Sequence, residues 1–196
     1  MAAPRVLNLA SAYKVAIRRE HQNVNKRYTF LAAVGLIIAM GFLIPEPKMI
    51  PVAGATEADW NKDTFWYEPW GSSGVHKGID IFAQNGTDVI ASSNLLILFR
   101  GVLGKGGNVV VGLGPKWRVH YFAHLQEIDP TAGFVVPVGD RLGSVGASGN
   151  AKGKPPHLHF SLLSLLPRPW AMDGATQGYK KAFFLNPIRY FARRAE

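Results

Sequence analysis

The spacing of hydrophobic positions changes character twice along this chain. From residue 28 to residue 45 there is no charged side chain, and Phe30 to Ile44 is almost entirely apolar. As a helix these 18 residues cover about 27 Å, enough to cross the hydrocarbon core of a bilayer. Residues 45–55 then hold three prolines and no periodic pattern, which reads as a linker. Beyond residue 71 short runs of Val, Ile, Leu and Phe alternate with glycine-rich turns. They predict strands over 79–82, 88–91, 95–103, 108–113, 118–124, 134–138, 142–145 and 157–163. Many short strands and tight turns indicate an all-β, compact antiparallel sheet domain, preceded by one N-terminal transmembrane helix.

These breaks divide the chain into a basic leader (1–27), an anchor or signal segment (28–45), a linker (46–58), a catalytic-type domain (59–170) and a C-terminal extension (171–196) that packs on the domain. The aromatics Trp60, Phe65, Trp66, Tyr67 and Trp70 open the domain, as a packed cap over one end or as a rim facing a ligand. The tail ends in a short basic amphipathic stretch, 188–194, and no catalytic role follows from it.

Charge sets the topology. The leader carries Arg5, Lys14, Arg18, Arg19, Lys26 and Arg27 against Glu20. Basic residues before an apolar span hold that end in the cytoplasm. The expected location is therefore the inner (cytoplasmic) membrane, single-pass, with the domain in the periplasm or otherwise outside the cytoplasm. The alternative is secretion after cleavage near Ala53-Gly54-Ala55, although that site lies well beyond the apolar run. From Ala53 onward, 15 basic residues face 11 acidic ones, so most of the +9 net charge is not on the domain. No Lys/Arg run with interleaved aromatics appears, and no nucleic-acid partner is expected. Gly104-Lys105-Gly106-Gly107 lacks the spacing of a phosphate loop. The chain has no cysteine, which excludes disulfides and thiolate metal sites and leaves six histidines and the carboxylates as metal donors.

Three clusters carry candidate chemistry. His157 and His159, in His157-Leu158-His159-Phe160, fall on one face of a strand, with Leu158 and Phe160 on the other. His76 and Asp80, in His76-Lys77-Gly78-Ile79-Asp80, would stand about 13 Å apart on an extended chain, too far for one ion, and Gly78 lets the chain bend so that they converge. The strand at 118–124 offers His120 and His124, which share parity, so spacing alone does not choose between them. His21 lies in the leader. Two imidazoles and a carboxylate are what a hydrolytic zinc site needs, with a fourth position open for water.

From about Gly71 to Leu163 the chain resembles the M23 zinc metallopeptidases, the lysostaphin and LytM type of peptidoglycan endopeptidase. The matching pieces occur in the family's order: His76-Lys77-Gly78-Ile79-Asp80-Ile81, Gly86-Thr87-Asp88-Val89-Ile90-Ala91, Gly107-Asn108-Val109-Val110-Val111, Tyr121-Phe122-Ala123-His124-Leu125, Val138-Gly139-Asp140-Arg141-Leu142-Gly143, Gly146-Ala147-Ser148-Gly149 and His157-Leu158-His159-Phe160. The resemblance implies a β-sheet domain with a groove, one Zn²⁺ per chain on His76, Asp80 and His159, and two catalytic histidines outside the ligand set, His124 and His157. It implies hydrolysis of peptide bonds in peptidoglycan, with D-amino-acid cross-links favoured over glycine bridges. An envelope regulator is a further candidate partner. The alternative is a non-catalytic LytM module that activates a cell-wall amidase, although such modules usually lack a ligand. Two departures stand out: Pro155-Pro156 before His157, where Gly-Pro is usual, and Ser161 after Phe160, where Glu is frequent.

Overall fold

The computed structural model describes residues 9–192. The first eight residues of the predicted leader and residues 193–196, at the end of the predicted amphipathic tail, lie outside the described residues. The chain divides into two compact units after Leu43.

The first unit is helix α1, Leu9–Leu43. It begins within the basic leader and continues without a break through the apolar stretch, because no proline or glycine stands between Leu9 and Gly35. It ends just before Ile44, whose helical conformation is disfavoured by the ring of Pro45. Within it, Asn25–Leu43 is long and apolar enough to cross a membrane.

The second unit begins at Ile44. Composition marks 46–58 as a linker, yet residues 46–53 pack as part of the domain. Met49 N–H donates to Ser92 O, Ile90 N–H to Pro51 O and Ala53 N–H to Asp88 O, so this stretch runs beside β2 (Asp88–Ile90). Val52 is buried, and the Glu46 carboxylate, 2% exposed, accepts two bonds from Arg118 Nη1 at 2.6 and 2.8 Å. The prolines remove donors and hide the periodicity without preventing the remaining groups from pairing.

The main sheet runs in the order β1 (Ile79–Phe82), β9 (His157–Ser164), β5 (Arg118–Leu125), β4 (Gly107–Gly114), β3 (Leu95–Leu103) and β7 (Val135–Val136), with β10 (Phe184–Leu185) also on β9. Each of these strand pairs is antiparallel. A smaller sheet joins β2, β8 (Arg141–Ser144) and β6 (Glu127–Ile128). The all-β expectation holds. Strands β6 and β10, two residues each, leave no readable alternation in the sequence.

Strand alternation sorts side chains between the two faces of the main sheet. Ile79, Ile81, Leu158, Phe160, Leu162, Phe122 and Val110 turn inward with Val89 and Leu142 of the smaller sheet. Phe122 and Phe160 meet at 5.3 Å between ring centroids, and burial of each ring contributes about 2–3 kcal/mol. The opposite face of β1, β9 and β5 carries Asp80, His157, His159 and Tyr121. The C-terminal extension closes the core through Tyr190 and Phe191, the latter beside Trp60 and Phe160. It ends in α2 (Pro187–Phe191), capped by Asn186.

His120 belongs to this core. It is fully buried, with Nδ1 at 2.7 Å from Ser92 Oγ and its ring near Phe160 and Tyr190. Burial, reinforced by Arg118, pushes its pKa down to about 3. Its folded pKa therefore lies below its unfolded value of about 6.5, and its contribution is complete above that value and lost as pH falls towards 3. We expect folding stability to drop by on the order of 3 kcal/mol from this group by pH 4. Denaturant titrations between pH 7 and 4 should show a shallower loss in His120→Gln than in the unaltered chain.

Candidate active site

His76 is held at the mouth of β1 by backbone pairing with an irregular loop. Trp66 N–H donates to His76 O at 2.7 Å and His76 N–H donates to Tyr67 O at 3.0 Å. Its ring is 1% exposed, stacked on Trp70 at 4.0 Å. His76 Nδ1 lies 3.1 Å from Thr64 O and 2.7 Å from Thr64 Oγ1. A carbonyl oxygen only accepts, so Nδ1 carries the proton and Nε2 presents a lone pair. That lone pair points at Asp80 Oδ1, 3.2 Å away, and at His159 Nδ1, 3.1 Å away.

Strand register brings the other two donors together. Asp80 and His159 are directly paired across β1 and β9, and His159 Nδ1 stands 2.8 Å from Asp80 Oδ1. On its far side His159 Nε2 meets Ser161 Oγ at 3.0 Å. Gly78 makes the approach possible through space rather than through an unusual backbone angle. A Cβ there would lie 2.4 Å from Phe160 O and 2.6 Å from Ser161 Oγ.

Three acceptor-type atoms thus converge, and at most one proton is available among them. Tetrahedral ligands at 2.0–2.1 Å from an ion stand about 3.3 Å apart, close to the 2.8–3.2 Å found here. The trio His76, Asp80 and His159 is the one group among the described residues with this donor convergence. The electrostatics agree with metal binding. Burial alone would push the Asp80 carboxyl up, but the neighbouring His159 and His76 rings outweigh it and hold the group well below the usual carboxylate range. Burial likewise lowers the pKa of His159, against the pull of Asp80.

His124 and His157 flank this trio. The sheet pattern alone would turn His124 to the core with His120 and Phe122. Instead His124 has φ of +66°, which breaks the alternation and carries its ring to the site face, 5.2 Å from His157 and 5.9 Å from His159. His124 Nδ1–H donates to Ser148 O at 2.9 Å, and His157 Nδ1–H donates to Pro155 O at 2.8 Å. Each ring therefore has its Nδ1 engaged by backbone and its Nε2 left to face the site, and that of His157 lies 3.9 Å from Asp80 Oδ2. Burial, then the neighbouring His159 and His157, push the His124 pKa down to about 4, so the ring is neutral near pH 7.

A recess of about 170 Å³ opens over His76, His124 and His159, with Trp70, Tyr121 and Asn150 among its walls. The aromatic segment divides its work: Trp60 packs in the core and Trp66 against Phe184, whereas Trp70 backs His76 and faces the recess. The structure brings together the five residues singled out in the sequence, His76, Asp80, His124, His157 and His159; it adds Thr64, and gives Ser161 and Trp70 contacts that the sequence did not assign them. Ser161 was accessible through alternation, since it follows His157 and His159 on the same face. Thr64 gives no sequence signal, because its loop has no period.

Residues 74–168 match the model of peptidase family M23. An L-Ala–D-Glu endopeptidase of Bacillus subtilis is 32% identical over 134 residues, covering 59% of this chain and 38% of its own length. Lysostaphin of Staphylococcus staphylolyticus is 33% identical over 94 residues, covering 47% of this chain and 19% of its own. The chain thus spans well under half the length of either relative. A crystal structure of a candidate glycyl-glycine endopeptidase, lytM, from Ruminococcus gnavus superposes with a TM-score of 0.54 at 24% identity, covering 79% of this chain and 64% of that one, which supports the fold.

Proposed function

We infer that this chain, which through residues 74–168 belongs to peptidase family M23, is a zinc-dependent endopeptidase that hydrolyses peptide bonds in peptidoglycan, D-amino-acid cross-links in particular. The observation that carries the reading is the convergence of His76 Nε2, Asp80 Oδ1 and His159 Nδ1 beneath a recess flanked by two further histidines. The complete donor set favours an enzyme over a non-catalytic amidase activator.

His76, Asp80 and His159 would hold the zinc ion, which when bound acts as a Lewis acid and brings the pKa of a water towards neutrality. The chain's own residues do the rest. Thr64 O fixes the tautomer of His76, and Ser161 orients His159. Of His124 and His157, one accepts a proton at Nε2 from the attacking water and returns it to the leaving amine. The other holds a proton at Nε2 against the carbonyl oxygen, a state that the developing negative charge itself favours. Ser161→Ala leaves His159 free to rotate, and the affinity for zinc should fall about 10–100-fold. Competition with a calibrated chelator measures this.

The helix Asn25–Leu43 presents exposed Phe30, Leu31, Leu36, Ile37, Met40 and Phe42, suited to lipid. With the basic leader this supports an anchor that leaves the domain outside the cytoplasm, or a signal segment with the same destination. The test is mass spectrometry of products released from purified sacculi by the full-length chain in detergent, with and without a zinc chelator. Chelator-sensitive appearance of new peptide ends at cross-links is expected. Zinc-loaded, folded protein that releases nothing would overturn the endopeptidase reading.

A further inference from the structure

The recess over the site has a charge imbalance that peptide-bond hydrolysis does not itself require. Its walls include Lys77 and Lys105 and no carboxylate. Lys77 Nζ donates to Ser73 O at 3.1 Å and Val75 O at 3.3 Å, and Lys105 Nζ donates to Ser72 Oγ at 2.7 Å. These bonds position the two amines on one flank without neutralising them. Lys180 stands behind, bound to Gln177 Oε1 at 2.8 Å, while Gln177 Nε2 donates to Ser73 O at 2.9 Å and ties the C-terminal extension to the same wall. Among the described residues none of these three lysines has an acidic partner. The flank is also fixed in place. Gly106, beside Lys105, sits so close to the Tyr121 hydroxyl that a Cβ would approach it to 2.2 Å. Beside the lysines the recess is walled by histidine, aromatic and neutral polar side chains, and the one carboxylate nearby, Asp80, lies beneath it among the donor atoms.

Gathered, unpaired ammonium groups repel one another, and an anion entering between them relieves that repulsion. Charge-assisted hydrogen bonds to a carboxylate are roughly twice as strong as neutral ones. We propose that the Lys77–Lys105 flank is a carboxylate-binding subsite, so that the preferred substrate is a peptide with a free carboxylate beside the scissile bond. This rests on the endopeptidase reading and sharpens it. The stem peptides of a cell wall carry such groups, on a γ-linked D-glutamyl residue for example, whereas a bridge made of glycine carries none. The subsite therefore selects stem and cross-link peptides over glycine bridges by charge.

The test compares one synthetic stem peptide with its carboxamide twin, in which only the carboxylate next to the cleaved bond is amidated. For the full-length chain in detergent, kcat/KM should favour the carboxylate about tenfold or more, and the preference should narrow as salt rises from about 0.05 to about 0.5 M. Lys105→Gln should lose most of the preference through a raised KM for the carboxylate peptide, with one zinc per chain retained, and Lys105→Arg should keep it. Equal turnover of the two peptides by the unaltered chain, or an equal loss on both in Lys105→Gln, overturns the subsite. If neither peptide is cleaved, the endopeptidase reading is what has failed, and calorimetric Kd values for the two intact peptides decide the subsite separately. A carboxylate preference in binding supports it, and equal affinities overturn it.

Discussion

Replacing His157 with alanine is expected to lower kcat/KM about 10²–10⁴-fold while the chain keeps its zinc. On the proposed mechanism the loss is that of one of the two histidines that handle protons at the scissile bond. The geometry separates this role from metal holding. His157 Nε2 stays 3.9 Å from Asp80 Oδ2, whereas the three converging donor atoms lie 2.8–3.2 Å from one another. The ring is held by Pro155 O and packs beside Phe82, so its removal leaves β9 and the metal donors in place. Turnover and zinc content, the latter by plasma mass spectrometry, should be measured on the same sample. Zinc lost together with activity would move His157 into the ligand set. Activity retained would remove it from the chemistry.

In His76→Ala, zinc and activity should vanish together. A residue that merely orients a ligand is worth about 10–100-fold in metal affinity, and loss of a ligand should exceed that. The remaining pair, Asp80 and His159, would become a simple hydrogen-bonded pair with a site too open to retain zinc through dialysis. Because His76 is buried against Trp70 and Thr64, the variant also loses packing. Circular dichroism and a thermal midpoint must accompany the assay. A folded His76→Ala chain that still binds one zinc or still cleaves sacculi would sink the assignment.

Much of this site is legible in the sequence because strand alternation is local. His157 and His159 fall on one face from spacing alone, and the structure pairs His159 with Asp80 as two adjacent strands require. Gly78 was readable as necessary, but for another reason: the backbone of β9 leaves no room for a side chain. The choice between His120 and His124 was beyond spacing, because it turns on one residue's backbone angle. Resemblance to a family selected His124, and the left-handed turn explains why two histidines of equal parity end on opposite faces. The proline-rich stretch after the helix reads as a linker in the sequence, yet its first half packs on the domain. Its pairing with β2 and the burial of Glu46 against Arg118 involve partners tens of residues away, which no local pattern encodes.

The left-handed conformation of His124 has a consequence for anyone engineering this fold. A non-glycine residue held there costs roughly 1 kcal/mol, and the imidazole must also stay neutral in a buried position. Asparagine or glycine would relieve the strain, and neither can relay a proton as imidazole does. On the proposed mechanism, a selection for heat resistance that never assays turnover would enrich inert chains altered at position 124, and the hardiest variants in such a library would be the ones that no longer cut anything.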